Sequence, residues 1–139
     1  MRAAAVRVVY ETSHRRYTLP WKAIFLCAGR VLGASLKPCT VVFVDEKRIR
    51  SLNHRYRGID NATNVLSFSD SREILLCMPV VLREASERNI RLRDWMIRLF
   101  VHGIVHLEGY RHDTRETRHR MEHLEQKIID TFSELEREH

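Results

Sequence analysis

The sequence predicts a small α+β domain in which helices pack around a mixed β-sheet of about four strands. Short β-branched or apolar runs recur in the first half of the chain, and amphipathic helical patterns occupy most of the remainder. The chain has 139 residues, of which 44% are hydrophobic and 30% charged, a balance typical of a folded domain. We therefore predict a single domain over residues 1–139.

Four stretches have the composition of strands. We interpret the first as an opening strand and not as a signal peptide, because Arg7 interrupts its apolar patch and no cleavage site follows. The last two flank the turn-like segment SDSR. The order of the strands in the sheet does not follow from the sequence. The predicted strands are AAVRVVYE (4–11), CTVVFVD (39–45), TNVLSF (63–68) and EILLCM (73–78).

Five segments have helical spacing. The first helix starts after Pro20 and ends near Gly33, and the second stops at Gly58. Pro79 opens the third, which runs to about Asn89. The fourth is the long apolar segment RDWMIRLFVHGIVHLEG, and the fifth begins near residue 114. The fifth helix has one apolar stripe, formed by Met121, Leu124, Ile128, Phe132 and Leu135.

Composition narrows the classes of function. The formal net charge of +6 favours an anionic partner, nucleic acid first. No apolar run approaches the ~20 residues that a membrane span requires, so no membrane partner is predicted. The cysteines are widely spaced, lie in apolar surroundings and form no CxxC pair, which indicates buried free thiols in a reducing cytoplasm. They are Cys27, Cys39 and Cys77.

The segment FVHGIVHLEGYRHD (100–113) has the strongest chemical signal. His102 and His106 are four residues apart, so on a helix their Cβ atoms lie on one face, ~5–6 Å apart. His112 can join them only if the chain turns back, and Gly109 stands where a left-handed residue would end the helix. Three imidazoles leave a fourth tetrahedral position open for water, as in catalytic zinc sites. We predict one zinc ion per chain, held by these three histidines.

Two features of the sequence offer alternatives to this prediction, a second histidine pair and a peptidase-like motif. His119 and His123 have the same spacing, but they lie in a regular charged helix without a third partner, so we do not expect them to bind metal. The spacing also matches the HExxHxxGxxH motif of metzincin peptidases, with Gly109 in register. Gly103, however, stands where those enzymes carry the general base. We expect a site that is zincin-like in geometry but not in chemistry, and a metallopeptidase is the least favoured alternative.

Two blocks of the sequence resemble the bacterial YbeY endoribonuclease (rRNA maturation factor) family. HGIVHLEGYRH (102–112) is similar to the family's HGxLHLxGYDH, and LNHRYRGIDNATNVLSF (52–68) is similar to LNxxYRGxDxxTDVLSF. The resemblance implies zinc ligands at His102, His106 and His112 and a functional arginine at Arg57. It implies cytoplasmic, metal-dependent cleavage of single-stranded RNA in 3′-end maturation of small-subunit (16S) rRNA and in ribosome quality control. The implied partners are rRNA, the small ribosomal subunit and assembly factors, with no dinucleotide cofactor.

Three positions depart from the family pattern. Arg111 replaces the usual Asp before the third histidine, and Asp113 follows it. The segment REI (72–74) stands in place of GDI, and Asn64 replaces the commoner Asp. The first two departures bear on the partner that orients the zinc histidines and on the shape of the cleft rim.

The chemistry of the residues agrees with phosphodiester hydrolysis. Zinc lowers the pKa of bound water to ~7 and polarises a phosphate. Arg57 can hold a phosphate with its planar fork, whereas Thr63, Asn64 and Ser67 are interpreted as hydrogen-bonding residues of a turn and a strand. No general base is apparent, so zinc hydroxide and the ribose 2′-hydroxyl both stay open as nucleophiles. The alternative function is an rRNA-binding ribosome-assembly factor with a mainly structural metal.

Overall fold

The structure of the protein, a computed structural model, describes residues 5–12 and 16–138. The described residues contain the four strands β1 (Val6–Tyr10), β2 (Cys39–Phe43), β3 (Val65–Phe68) and β4 (Glu73–Leu76). They also contain the five helices α1 (Trp21–Leu32), α2 (Glu46–Arg57), α3 (Met78–Arg88), α4 (Leu92–Leu107) and α5 (Arg115–Glu138). The predicted α+β class is confirmed. Each strand is shorter than its apolar run, and residue 4, the predicted start of the first strand, lies outside the described residues.

The strands form one sheet in the order β1-β2-β4-β3. The strands β1, β2 and β4 are parallel, and β3 runs antiparallel to β4, with Val65 opposite Leu76 and Phe68 opposite Glu73. Helix α1 supplies the crossover between β1 and β2, as parallel neighbours require. The edge strand β3 packs against α4, which brings the segment before β3 close to the predicted histidine site.

Alternating side chains of the sheet divide the core into two apolar clusters. Val41 and Ile74 face the larger cluster, which they share with α1, α4 and α5, whereas Val42 and Leu75 face the smaller cluster beside α2. Helix α4 is buried on most sides, which explains why its apolar residues do not form one narrow stripe.

The prediction that all three cysteines are buried free thiols is confirmed. Burial is the main cause that raises the pKa of the Cys39 thiol, to about 11. No helix in the described ranges combines the length and the apolar character that crossing a membrane would take.

Candidate metal centre

The chain reverses direction immediately after α4. This helix ends at Leu107, and Gly109 adopts φ = +91°, which glycine tolerates because it has no Cβ. The reversal returns His112 to the helix: its ring centroid lies 5.9 Å from that of His102 and 4.9 Å from that of His106, and the latter two lie 4.7 Å apart. One ring nitrogen from each histidine lies within 4.8 Å of the others. The convergence predicted from the sequence is confirmed, and the trio could hold a metal ion.

The second histidine pair stays outside this cluster. His119 and His123 are exposed on α5. Within residues 5–12 and 16–138, the trio on α4 and its following turn is the one group of three or more such side chains close enough to hold a metal ion. The structure therefore separates two pairs that have identical spacing in the sequence.

A buried carboxylate orients the first histidine. Glu125 on α5 is only 6% exposed, and its Oε1 lies 2.5 Å from Nδ1 of His102. Because this contact occupies Nδ1, Nε2 of His102 is the nitrogen left to bind a metal. The sequence analysis missed Glu125, although a signal existed. It lies between Met121 and Ile128 on the apolar stripe of α5, where a carboxylate needs a partner.

His106 is held in its neutral form. Burial is the main cause that lowers its pKa, to about 4, and the neighbouring His102 and His112 lower it further. Arg57 also lowers this pKa, whereas Glu125 raises it. His106 is therefore uncharged near neutral pH. One of its ring nitrogens already has a free lone pair, so no proton has to leave before the ring binds a cation.

Arg57 reaches the histidines from the end of α2. Asp45 caps the start of this helix by accepting a hydrogen bond of 2.8 Å from the backbone N–H of Arg48, and the helix ends at Gly58. The exposed Arg57 lines a cavity of about 420 Å³ together with all three histidines. No carboxylate of the described chain lies within ion-pair distance of its guanidinium. Arg57 thus presents an unpaired positive charge to the cavity.

The segment before β3 forms another wall of this cavity. Thr63 and Asn64 of this segment line it together with Ser67 of β3. All three are interpreted from the sequence as hydrogen-bonding residues of a turn and a strand. The side-chain amide of Asn64 donates to Oε1 of Glu84 at 2.9 Å, and Trp95 Nε1 donates to the same oxygen at 3.1 Å. Glu84 was also missed by the sequence analysis. It ties the cavity wall to α4, the helix that carries two of the histidines.

Gly103 faces the sheet and not the cavity. A Cβ atom at this position would lie 2.8 Å from Cγ2 of Ile74 on β4, closer than real Cβ atoms come to a neighbour. Glycine therefore lets α4 approach the sheet closely. A glutamate could enter here only if Ile74 or the helix moved, so this packing does not accommodate the general base of a metzincin peptidase.

A second cavity, of about 680 Å³, shares His102 and His112 with the first. Its walls come from α4 and α5 and include Arg98 and Arg118. Arg98 donates to the side-chain oxygen of Gln126 at 3.1 Å, and within the described ranges neither arginine pairs with a carboxylate. Cationic side chains therefore line both cavities that meet at the histidines.

Arg72 fastens the end of the histidine helix to the sheet. Its backbone adopts φ = +53°, which glycine adopts more readily, and it is the first residue of the REI segment. Its guanidinium donates to the carbonyl oxygens of Lys37 at 2.8 Å and Pro38 at 3.2 Å. The same group lies 2.8 Å from Oε2 of Glu108, the residue that joins α4 to the turn at Gly109. This buried oxygen has no aligned hydrogen bond, so the contact is an ion pair.

The fold and the site together define a small α+β protein with a three-histidine candidate metal centre at the end of a helix. A family model described as "Endoribonuclease YbeY" matches residues 30–133. The chain is 47% identical over 92 residues to the Endoribonuclease YbeY of Methylobacillus flagellatus, which covers 62% of each chain. It is 41% identical over 123 residues to that of Xanthomonas oryzae pv. oryzae, which covers 78% of this chain and 74% of the relative. The chain belongs to the YbeY family.

Two further comparisons describe how far the similarity extends. A relative from Ralstonia nicotianae, also named Endoribonuclease YbeY, is 42% identical over 97 residues, 64% of this chain. The chain spans 62% of the length of the Methylobacillus relative and 52% of that of the Ralstonia relative. The solution structure of TM1509 from Thermotoga maritima has a similar fold, with a TM-score of 0.55 at 22% identity over 93% of this chain and 92% of that chain.

Proposed function

We propose that the protein is a cytoplasmic, zinc-dependent endoribonuclease that cuts single-stranded RNA. The observation that carries this proposal is the convergence of Arg57 and the three histidines on one cavity, because a phosphate-binding cation beside a metal centre suits phosphodiester cleavage. The family supports RNA as the substrate, since the relatives bear the name endoribonuclease. Its role would be 3′-end maturation of small-subunit (16S) rRNA and ribosome quality control, with the small subunit and assembly factors as partners.

The residues of the cavity divide the chemistry among them. His102, His106 and His112 would hold the zinc ion through one ring nitrogen each, a donor set that suits this metal. When bound, zinc polarises a phosphoryl oxygen and lowers the pKa of water. Glu125 holds the ring of His102 in place. Arg57 would bind the phosphate through its planar fork and neutralise the charge that grows on it during cleavage.

Two arginines next to the histidines support a polyanionic substrate. Arg98 and Arg118 lie in the second cavity, so a strand that crosses the metal centre would meet positive charge beyond Arg57. The chain as a whole has a formal net charge of +6. Such charge raises the local concentration of a nucleic acid and speeds its association.

The nucleophile can be identified from the products. Glu125 is not a free base because it contacts His102, and position 103, where a metzincin peptidase carries its general base, is a glycine that faces the sheet. Attack by the ribose 2′-hydroxyl would leave a 2′,3′-cyclic phosphate, whereas attack by water would leave an ordinary terminal phosphate. Analysis of the cut ends by mass spectrometry would distinguish the two.

The test is cleavage of a labelled single-stranded RNA by the purified protein, with and without a chelator. We expect cleavage that the chelator abolishes and added zinc restores. It should be lost in His106→Ala but kept in the matched control His54→Ala, which removes an exposed histidine on α2 that lines none of the cavities. Chelator-resistant cleavage would instead indicate a contaminating nuclease. RNA that binds but is never cut would favour the assembly-factor alternative, and proteolysis of casein with RNA left intact would favour a peptidase.

A further inference from the structure

Two aromatic rings lie beside the candidate active site. Tyr56 is 58% exposed, more than any other large hydrophobic residue of the described chain. Its ring packs edge-on against that of Phe68, with centroids 5.2 Å apart and an angle of 71° between the planes. Tyr56 directly precedes Arg57, and Phe68 directly follows Ser67, a residue of the metal cavity. Exposed aromatic surface next to a cation and a candidate metal centre suggests a ligand with a flat apolar face.

Tyr56 and Phe68 form a wall of a third cavity, of about 510 Å³. Leu52 and Leu75 add further apolar lining. Ser67 lines both this cavity and the one that contains the histidines, so the two adjoin. A molecule bound at Arg57 that extends past Ser67 would therefore reach the third cavity.

The carboxylates of the third cavity determine which part of an RNA strand could bind there. Asp70 and Glu73 line it, and no cation of the described residues lies within ion-pair distance of either carboxylate. Glu11 also lines it and is paired with Arg48 at 3.5 Å. Unpaired carboxylates repel a phosphate, so the phosphates would stay on the Arg57 side. An uncharged base suits the aromatic wall, and a carboxylate can accept a hydrogen bond from its exocyclic amino group.

We propose that this third cavity is a nucleobase subsite, in which one base of the RNA strand stacks on the exposed ring of Tyr56 and contacts Phe68 beside it. The inference rests on the proposed function and adds the part of the substrate that the protein would recognise. The stacked base belongs to a nucleotide adjoining the phosphate held by Arg57. The subsite explains a requirement for single strands, because a base inside a duplex is already stacked between its neighbours and cannot enter.

The experiment measures binding of the zinc-loaded protein to short fluorescent RNAs by anisotropy. The 2′-hydroxyls of all RNAs are methylated to remove the internal nucleophile. One RNA is intact, and each of the others lacks the base at a different position. We expect wild-type affinity to fall about 5- to 150-fold when one particular base is missing, the range for loss of one stacked base. Tyr56→Ala should show the same loss with the intact RNA and no further loss at that position, whereas Tyr56→Phe should bind like the wild type.

Leu26→Ala is the matched control, because Leu26 is 52% exposed on α1 and lines none of the cavities described above. It should bind every RNA as the wild type does. Circular dichroism and zinc content establish that each variant is folded. Tyr56→Leu, which keeps apolar volume without an aromatic face, should reproduce the loss if Tyr56→Ala is unstable.

Equal wild-type affinity for every abasic RNA, or unchanged binding by Tyr56→Ala, would overturn the subsite. Cleavage of unmodified RNA, assayed in parallel, separates this inference from the proposed function. If RNA is cut but no missing base lowers the affinity, the proposed nuclease function stands and the subsite is rejected. If one missing base lowers the affinity but RNA is never cut, the subsite stands and the nuclease function is rejected. If the protein binds none of the RNAs, both are rejected.

Discussion

Oε1 of Glu125 lies 2.5 Å from Nδ1 of His102, so a carboxylate from α5 sets the orientation of a histidine on α4. Counted by side chain alone, Glu125 is 8% exposed and His102 32%, so the carboxylate side of the contact is shielded from water. Carboxylate–histidine pairs of this kind fix the ring and raise the basicity of the nitrogen that binds the metal. Glu125 therefore supplies His102 with an orienting partner, although Arg111 stands where the family pattern has Asp.

Removal of this carboxylate should weaken metal binding without abolishing it. We expect Glu125→Ala to lower zinc affinity ~10- to 100-fold, the usual effect of losing such a partner. Competition against a chromophoric chelator measures the change. Glu134→Ala, which removes an exposed carboxylate near the other end of the same helix, is the control and should bind zinc normally. Equal zinc affinity in the two variants would show that Glu125 does not support the site.

Arg57→Ala should lower RNA turnover and leave zinc content and folding unchanged. We expect a loss of ~10²- to 10³-fold, comparable to removal of one donor that stabilises a developing negative charge. Arg57→Lys should recover only part of the rate, because a point charge cannot make a bidentate contact. Lys47→Ala removes an exposed cation near the other end of α2 and should have no effect. An unchanged rate in Arg57→Ala would make Arg57 an ordinary surface residue.

Asn64→Asp should destabilise this protein, although Asp is the commoner residue in the family pattern. The side-chain amide of Asn64 donates to Glu84 at 2.9 Å, so the substitution would place two carboxylates in contact. We expect a loss of ~1–3 kcal/mol in the free energy of unfolding, measured with urea. The double variant Asn64→Asp/Glu84→Gln restores a donor and should recover part of the loss, because an amide nitrogen at this position cannot also accept from Trp95 Nε1. Wild-type stability of the single variant would mean that the contact contributes nothing.

Two substitutions at Arg72 should differ in a way that reports backbone strain. Both Arg72→Ala and Arg72→Gly remove the ion pair with Glu108 and the hydrogen bonds to Lys37 and Pro38. Only glycine relieves the left-handed conformation at φ = +53°, a cost of ~1–2 kcal/mol for other residues. Arg72→Gly should therefore unfold at the higher temperature of the two. The reverse order would mean that the backbone at this position is not strained.

Binding of single-stranded RNA should weaken steeply with salt. Each phosphate contact contributes ~0.7 to the slope of log affinity against log salt concentration, because counterions are released. Arg118→Ala should reduce the slope by ~0.7 if Arg118 contacts one phosphate from the second cavity. Arg137→Ala, at the far end of α5, should leave the slope unchanged. Binding that does not depend on salt would contradict a role for these charges.

Features that follow from local rules could be predicted from the sequence. Helical spacing of four places His102 and His106 on one face, and Gly109 permits the reversal that brings His112 to them. Both rules act over a few residues, which is why the three-histidine cluster was predicted correctly. The alternation of apolar residues likewise located the strands, although their ends depend on the lengths of neighbouring strands.

The position of Arg57 beside the histidines could not be predicted from local sequence rules. Nothing in its own helix distinguishes it from other exposed cations, and only the resemblance to the YbeY family singled it out. The structure places it with the histidines because the end of α2 and the segment before β3 both line the cavity that contains them. That arrangement depends on the strand order β1-β2-β4-β3, which the sequence analysis left open.

The sequence by itself determined the chemical groups of the site and the turn that gathers the histidines, since helix periodicity and left-handed glycine act within one segment. Only the tertiary structure decided which residues support them. Glu125, Glu84 and Arg72 each act through a contact with a distant part of the chain. Such contacts leave only a faint trace in the sequence, such as the carboxylate of Glu125 on an apolar stripe, because a side chain's partner depends on how separate elements pack together.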